Sequence, residues 1–114
     1  MRDTFHADPA DVSLAEAMHA MSDPLRLRII ELLARQGETE CSEIYNAIGM
    51  SKSNASHHFR VLRESGILLR NHRGQQQSAA LRRDEFEARF PGLLAAVLRN
   101  IDTPSPRPTA DTEA

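Results

Sequence analysis

The feature that most constrains the fold is a series of helix starts and stops between residues 22 and 66. Ser22-Asp23-Pro24 is a start: Ser22 or Asp23 can cap, and proline suits the first helical position. Leu25, Ile29, Leu32 and Leu33 then supply one apolar face, and Gly37 ends the helix. A short helix is predicted from about Cys41 to Ile48, with Ile44, Ala47 and Ile48 inward and Gly49 stopping it. Ser51 caps another helix that Gly66 closes. A short helix, a glycine turn and a serine-capped helix in succession make a helix-turn-helix.

The flanks extend that unit. From Asp11 a helical pattern places Leu14, Ala17, Met18 and Met21 at i, i+3, i+4 and i+7. After Gly66 the period becomes strand-like: two short runs meet about Arg73-Gly74, where glycine suits a tight hairpin. Residues 82–101 turn helical again, with Asp84 able to cap, Pro91 marking a break or new start, and Leu94, Val97, Leu98 and Ile101 as a stripe. The expected fold is mainly α with a small β-hairpin, a winged helix-turn-helix. Residues 11–101 should form the domain, residues 1–10 a flexible arm, and residues 102–114, with three prolines and no large apolar residue, a disordered tail.

Net charge is −2, but its distribution is uneven. Residues 51–83 carry seven Lys/Arg against Glu64 alone, a net +6, between segments of −5 and −3. A basic block inside an acidic chain is the footprint of an anion-binding face. No apolar run approaches the ~20 residues of a membrane span, and no signal-like leader opens the chain. The lone Cys41 rules out an intrachain disulfide, which fits a cytoplasmic setting.

The basic block contains two adjacent histidines, His57 and His58. On a helix they diverge by about 100°, so they cannot chelate one ion. If Ala55, Phe59 and Leu62 define the inward direction, His58 flanks the core and is structural. His57 points outward with Ser53, Ser56 and Arg60. Short hydroxyls allow close approach to a duplex, and Arg and His supply donors to phosphates or guanine edges. A catalytic Ser56-His57 pair is not expected: adjacent helical residues diverge, and no orienting Asp or nucleophile-elbow pattern is present. Neither an enzyme nor a cofactor is implied.

Three stretches carry a family resemblance: "MSDPLRLRIIELL" (21–33), "SKSNASHHFRVLRESGIL" (51–68) and the hairpin that follows. Together they resemble the ArsR-type (arsenic-repressor-like) bacterial winged-helix regulators over about residues 12–101. The resemblance implies a homodimeric repressor that binds double-stranded DNA at an inverted-repeat operator and is released by an effector. The stripes Leu14, Met18, Met21 and Leu94, Val97, Leu98, Ile101 exceed what a core of this size can cover, so the first and last helices should pair across a two-fold axis. With the fourth helix in the major groove as the resemblance implies, its outward face is expected to contact DNA through Lys52, Ser53, Asn54, Ser56, His57 and Arg60, and the basic wing through Arg70 and Arg73.

Departures from that family bear on the effector. Glu40 and Ser42 stand where arsenic-sensing members carry two cysteines, leaving Cys41 at the spacer. Zinc-sensing members use Asp and His on the last helix, and residues 84–101 contain no histidine. No metal site is therefore expected; what remains is a small organic effector, a redox signal through Cys41, or no effector. The second hairpin run, "QQQSAAL", is polar and small where a half-buried strand would carry β-branched residues. A rival reading is a winged-helix module for protein contact only, its basic face meeting an acidic partner. The outer face of the fourth helix argues against it, lacking the large apolar anchors such an interface needs.

Overall fold

Ser13 starts the first helix with a reciprocal pair of bonds: its hydroxyl accepts from Glu16 N–H (3.0 Å), and the Glu16 carboxylate accepts from Ser13 N–H (2.8 Å). This capping box places the helix start after Ser13, later than the apolar period from Asp11 suggests. The computed structural model, which describes residues 6–101, then runs α1 (Leu14–Ala20), α2 (Pro24–Gln36), β1 (Thr39–Glu40), α3 (Cys41–Ile48), α4 (Lys52–Glu64), β2 (Leu68–Arg73), β3 (Gln76–Leu81), α5 (Arg83–Arg89) and α6 (Leu93–Ile101).

Asp23 caps α2, accepting from Leu25 N–H (2.9 Å) and Arg26 N–H (3.1 Å), with Pro24 in the first turn. Gly49 sits left-handed at φ 91° and ends α3, and the Ser51 hydroxyl caps α4 by accepting from Asn54 N–H (3.1 Å). Asp84 lies in the first turn of α5 rather than at its cap, which Arg82 occupies without a side-chain capping bond. Pro91 falls in the break between α5 and α6.

The core is drawn from nearly every element. Ile29 and Ile30 of α2, Ile44 of α3, Leu62 of α4, Ile67, Leu68 of β2 and Phe86 of α5 are fully buried. Each such side chain contributes roughly 1.5–3 kcal/mol by leaving water.

The hairpin is part of a three-stranded antiparallel sheet of order β1-β3-β2, with Thr39 opposite Ala79 and Arg73 opposite Gln76. The sequence does not announce β1, because two residues carry no periodicity. The small, polar composition of β3 has a packing reason. β3 is the central strand and lies against α2 and α3, with Ala79 completely buried. Small side chains let the helices close on the sheet.

Two expectations need correction. Residues 1–10 read as a loose arm; residues 1–5 lie outside the described residues, and residues 6–10 are docked. Ala7 N–H donates to the Arg63 carbonyl (3.2 Å), and Arg70 N–H donates to His6 Nε2 (2.8 Å). Arg82 Nη1 donates to the Ala7 carbonyl (2.7 Å). Pro9 lies so close to Gly66 that a Cβ there would stand 3.1 Å from Pro9 Cα, and Gly66 also holds φ +79°. Glycine is required at 66 on both counts.

The second correction concerns the apolar stripes. Leu14 and Met18 are exposed at 52% and 55%, but Met21 and Leu94 are buried in the protomer's own core. Val97, Leu98 and Ile101 are half-buried. Periodicity finds a stripe and cannot say which partner covers it. The disordered tail expected over 102–114 lies outside the described residues. Among the described residues no helix is long and apolar enough to cross a membrane.

Candidate nucleic-acid interface

α4 divides cleanly by side. Ala55, His58, Phe59, Leu62 and Arg63 are buried against the rest of the fold. Lys52, Ser53, Asn54, Ser56, His57 and Arg60 are all exposed. The exposed set holds two cations, two hydroxyls, an amide and an imidazole, and no apolar side chain. A helix presenting that chemistry can approach a polyanion closely and donate hydrogen bonds to it.

The two histidines take opposite positions, as their spacing predicts. His57 is exposed, while His58 is 6% exposed. Their rings stand 5.2 Å apart between centroids at 59°. His58 Nδ1 lies 3.2 Å from Arg26 Nη1 and 3.8 Å from Asp23 Oδ2. Burial holds the His58 pKa below the ordinary 6.5; Asp23 opposes that shift, and Arg26 and His57 add to it.

Sequence reasoning missed Arg26. It is only 5% exposed; its Nε donates to the Ala20 carbonyl (2.6 Å) and its Nη2 to the His19 carbonyl (3.1 Å). The signal was available: Arg26 precedes Ile29, Ile30 and Leu33 by three, four and seven residues, a cation inside an apolar stripe. The guanidinium sits at the C-terminal end of α1, where a positive charge is favoured.

The wing cations differ from one another. Arg73 is exposed beside the hairpin turn. Arg70 is half-buried, donates to Gln77 Oε1 across the hairpin, and shares the sheet face of the buried Ala79. Its Nε is buried, and its positive charge acts on the Cys41 thiol, opposing the effect of burial there. The structure thus brings Arg73 to the exposed surface and turns Arg70 toward the body. Glu38, which the sequence does not single out, accepts from Asn71 Nδ2 (3.0 Å) and from the Ser78 hydroxyl, tying the loop before β1 to both wing strands. Those bonds, Ser78 first, hold its carboxyl below the usual range, with Arg73 assisting.

Cys41 is buried, and burial raises its thiol pKa against the opposing charges of Arg70 and Arg63. Among the described residues no three His, Cys, Asp or Glu side chains gather where a metal ion would be held. Beside α6 a shallow apolar cavity of about 340 Å³ is lined by Met21, Leu27, Ala96, Val97, Asn100 and Ile101.

Known proteins are similar to this chain in sequence and in fold. Residues 23–68, from the cap of α2 to the start of β2, match the family described as bacterial regulatory protein, arsR family. YceK of Bacillus subtilis, an uncharacterized HTH-type transcriptional regulator, is 36% identical over 81 residues, covering 70% of this chain and 81% of YceK. A homodimeric winged helix-turn-helix DNA-binding domain from Mycobacterium bovis superposes with a TM-score of 0.66 at 28% identity, covering 78% of each chain. The transcriptional repressor BigR of Xylella fastidiosa superposes with a TM-score of 0.64 at 27% identity, covering 81% of this chain and 88% of BigR. With its helix-turn-helix, its wing and this relationship to YceK, the chain belongs to the arsR family of bacterial regulatory proteins, DNA-binding transcriptional regulators and not enzymes.

Proposed function

We propose that the protein is a homodimeric transcriptional repressor that lays α4 in the major groove of an inverted-repeat operator. The observation that carries the reading is the exposed face of α4, where Lys52, Ser53, Asn54, Ser56, His57 and Arg60 stand together without an apolar residue. Arg73 extends the cationic surface along the wing toward the DNA backbone, and Arg70 supports the hairpin more than it contacts phosphate. BigR is a transcriptional repressor, and the M. bovis domain is a homodimer. Leu14 and Met18 on α1, with Val97, Leu98 and Ile101 at the surface of α6, are the apolar residues offered to a second copy. A two-fold dimer presents two recognition helices related by symmetry, so half-site centres should lie about 34 Å apart, or a multiple of that.

The effector proposed is a small organic molecule. The positions flanking Cys41 are Glu40 and Ser42, and α5 and α6 carry no histidine. The cavity beside α6 is apolar and adjoins the surface proposed for dimerisation. A ligand there would act by favouring one orientation of the two recognition helices.

The test is selection of duplexes from a random-sequence pool by the purified protein, followed by footprinting. An enriched inverted repeat protected on one side of the duplex supports the reading. A pool with no enrichment at low salt contradicts it and favours a protein-contact module.

A further inference from the structure

Arg26, His58 and Asp23 form a charged cluster that DNA contact does not use, at the joint where α1 ends and α2 begins. Arg26 donates from three nitrogens: Nε to the Ala20 carbonyl (2.6 Å), Nη2 to the His19 carbonyl (3.1 Å) and Nη1 toward His58 Nδ1 (3.2 Å). A guanidinium cannot accept a hydrogen bond. The bond to His58 therefore requires a lone pair on Nδ1, which places the ring proton on Nε2 and leaves the imidazole neutral. One buried cation thus joins the C-terminal end of α1 to the inner face of α4. α1 carries the apolar surface proposed for dimerisation, and α4 the surface proposed for DNA.

We propose that Arg26 and His58 are positioning residues that fix the recognition helix against α1, and that protonation of His58 releases this seating and weakens DNA binding. A proton on Nδ1 removes the acceptor and sets a second positive charge 3.2 Å from the guanidinium. The partner left to the protonated ring is Asp23 Oδ2, 3.8 Å away. That oxygen already accepts from Leu25 and Arg26 N–H at the start of α2, so the exchange disturbs the cap of α2 as well. The groups facing the ring are Asp23 and Arg26 from α2 and His57 from α4; α1 presents main-chain carbonyls, reached through Arg26. A dimer reads two half-sites at a fixed separation, so a tilt of α4 against α1 changes both contacts at once. The inference rests on the DNA-binding reading above.

His57 would act in the opposite sense, since protonation adds charge to the DNA face. The experiment therefore compares two proteins that share His57. The intact protein and His58→Asn, whose side-chain oxygen can accept from Arg26 without titrating, are assayed with a duplex selected from a random pool, from about pH 8 to about pH 5. The expected result is an acid-side loss of affinity in the intact protein, relative to the variant, of about three- to tenfold, tenfold corresponding to one pKa unit between seated and released rings. Nitrogen-15 spectra of the intact protein should show His58 Nδ1 bare and Nε2 protonated at neutral pH, titrating with the same midpoint as the affinity loss. Parallel pH profiles for two folded proteins overturn the proposal, as does a proton on Nδ1 at neutral pH. If the variant does not fold, the intact protein decides: coincident midpoints support the proposal and separate ones overturn it. An intact protein that selects no duplex at any pH removes the DNA-binding reading itself, a result distinct from parallel profiles.

Discussion

The outer faces of α1 and α4 belong to helices whose inner faces feed the same core, yet they differ in kind. α4 exposes Lys52, Ser53, Asn54, Ser56, His57 and Arg60. α1 exposes Leu14 and Met18 at about half their full area, beside the polar Ser13 and Glu16. Single exposed apolar residues are common on protein surfaces. Here two lie one helical turn apart on the same helix, and one face of α6 is also half-buried and apolar. A surface with hydroxyls and cations gains by meeting phosphate, and one with large apolar side chains gains by leaving water. The difference teaches that the two faces await different partners, and each can be damaged without the other.

The largest effect should come from the side chain that supports α4 from within. Phe59→Ala removes a ring that is 3% exposed and should cost about 3–5 kcal/mol of folding stability, lowering the urea midpoint sharply. Changes on the outer face of α4 should leave that midpoint nearly unmoved, which is how the comparison is sharpened.

Next is Met18→Glu, which places a charge on an exposed site of the protomer and should leave the monomer folded. If α1 meets its copy, the charge becomes buried in the interface. Sedimentation should then show the dimer dissociation constant raised by about two orders of magnitude, ~3 kcal/mol. Unchanged association breaks the comparison on the α1 side. Leu98→Arg should act in the same direction on α6.

A smaller effect is expected from acid. The folded pKa of His58 is depressed, chiefly by burial, so the folded state binds the proton less readily than the unfolded chain. The stability linked to this ring is fully present above the unfolded value of about 6.5 and is lost as pH falls through the lower folded value. Urea unfolding at descending pH should show this loss in the intact protein and a diminished one in His58→Asn. The smallest effect concerns Cys41. Its thiol is buried and shifted upward, so alkylation at neutral pH should be slow in the folded protein and fast after unfolding.

Much of the helix-turn-helix is legible in the sequence because local signals mark its edges: Asp23-Pro24, Gly49, Ser51 and Gly66 each stand where the backbone needs them. The inward and outward histidines are legible for the same reason, since helical geometry depends only on spacing. What is not legible depends on distant partners. The docking of His6 on Arg70 spans 64 residues, and that of Ala7 on Arg82 spans 75. β1 has too few residues to show a period, and exists because β3 lies beside it. Met21 and Leu94 continue apolar stripes, but only the packed fold shows that their own protomer covers them. Arg70 looks like Arg73 in sequence, and only the sheet register turns it toward the body.

The central claim is that the exposed face of α4 binds DNA, and salt dependence tests it most directly. Affinity for a selected duplex is measured at several salt concentrations for the intact protein and for Arg60→Ala. With one phosphate contact removed, the log–log slope should fall in magnitude by about 0.9, while the urea midpoint stays unchanged. Equal slopes and equal affinities for the two proteins would contradict the account.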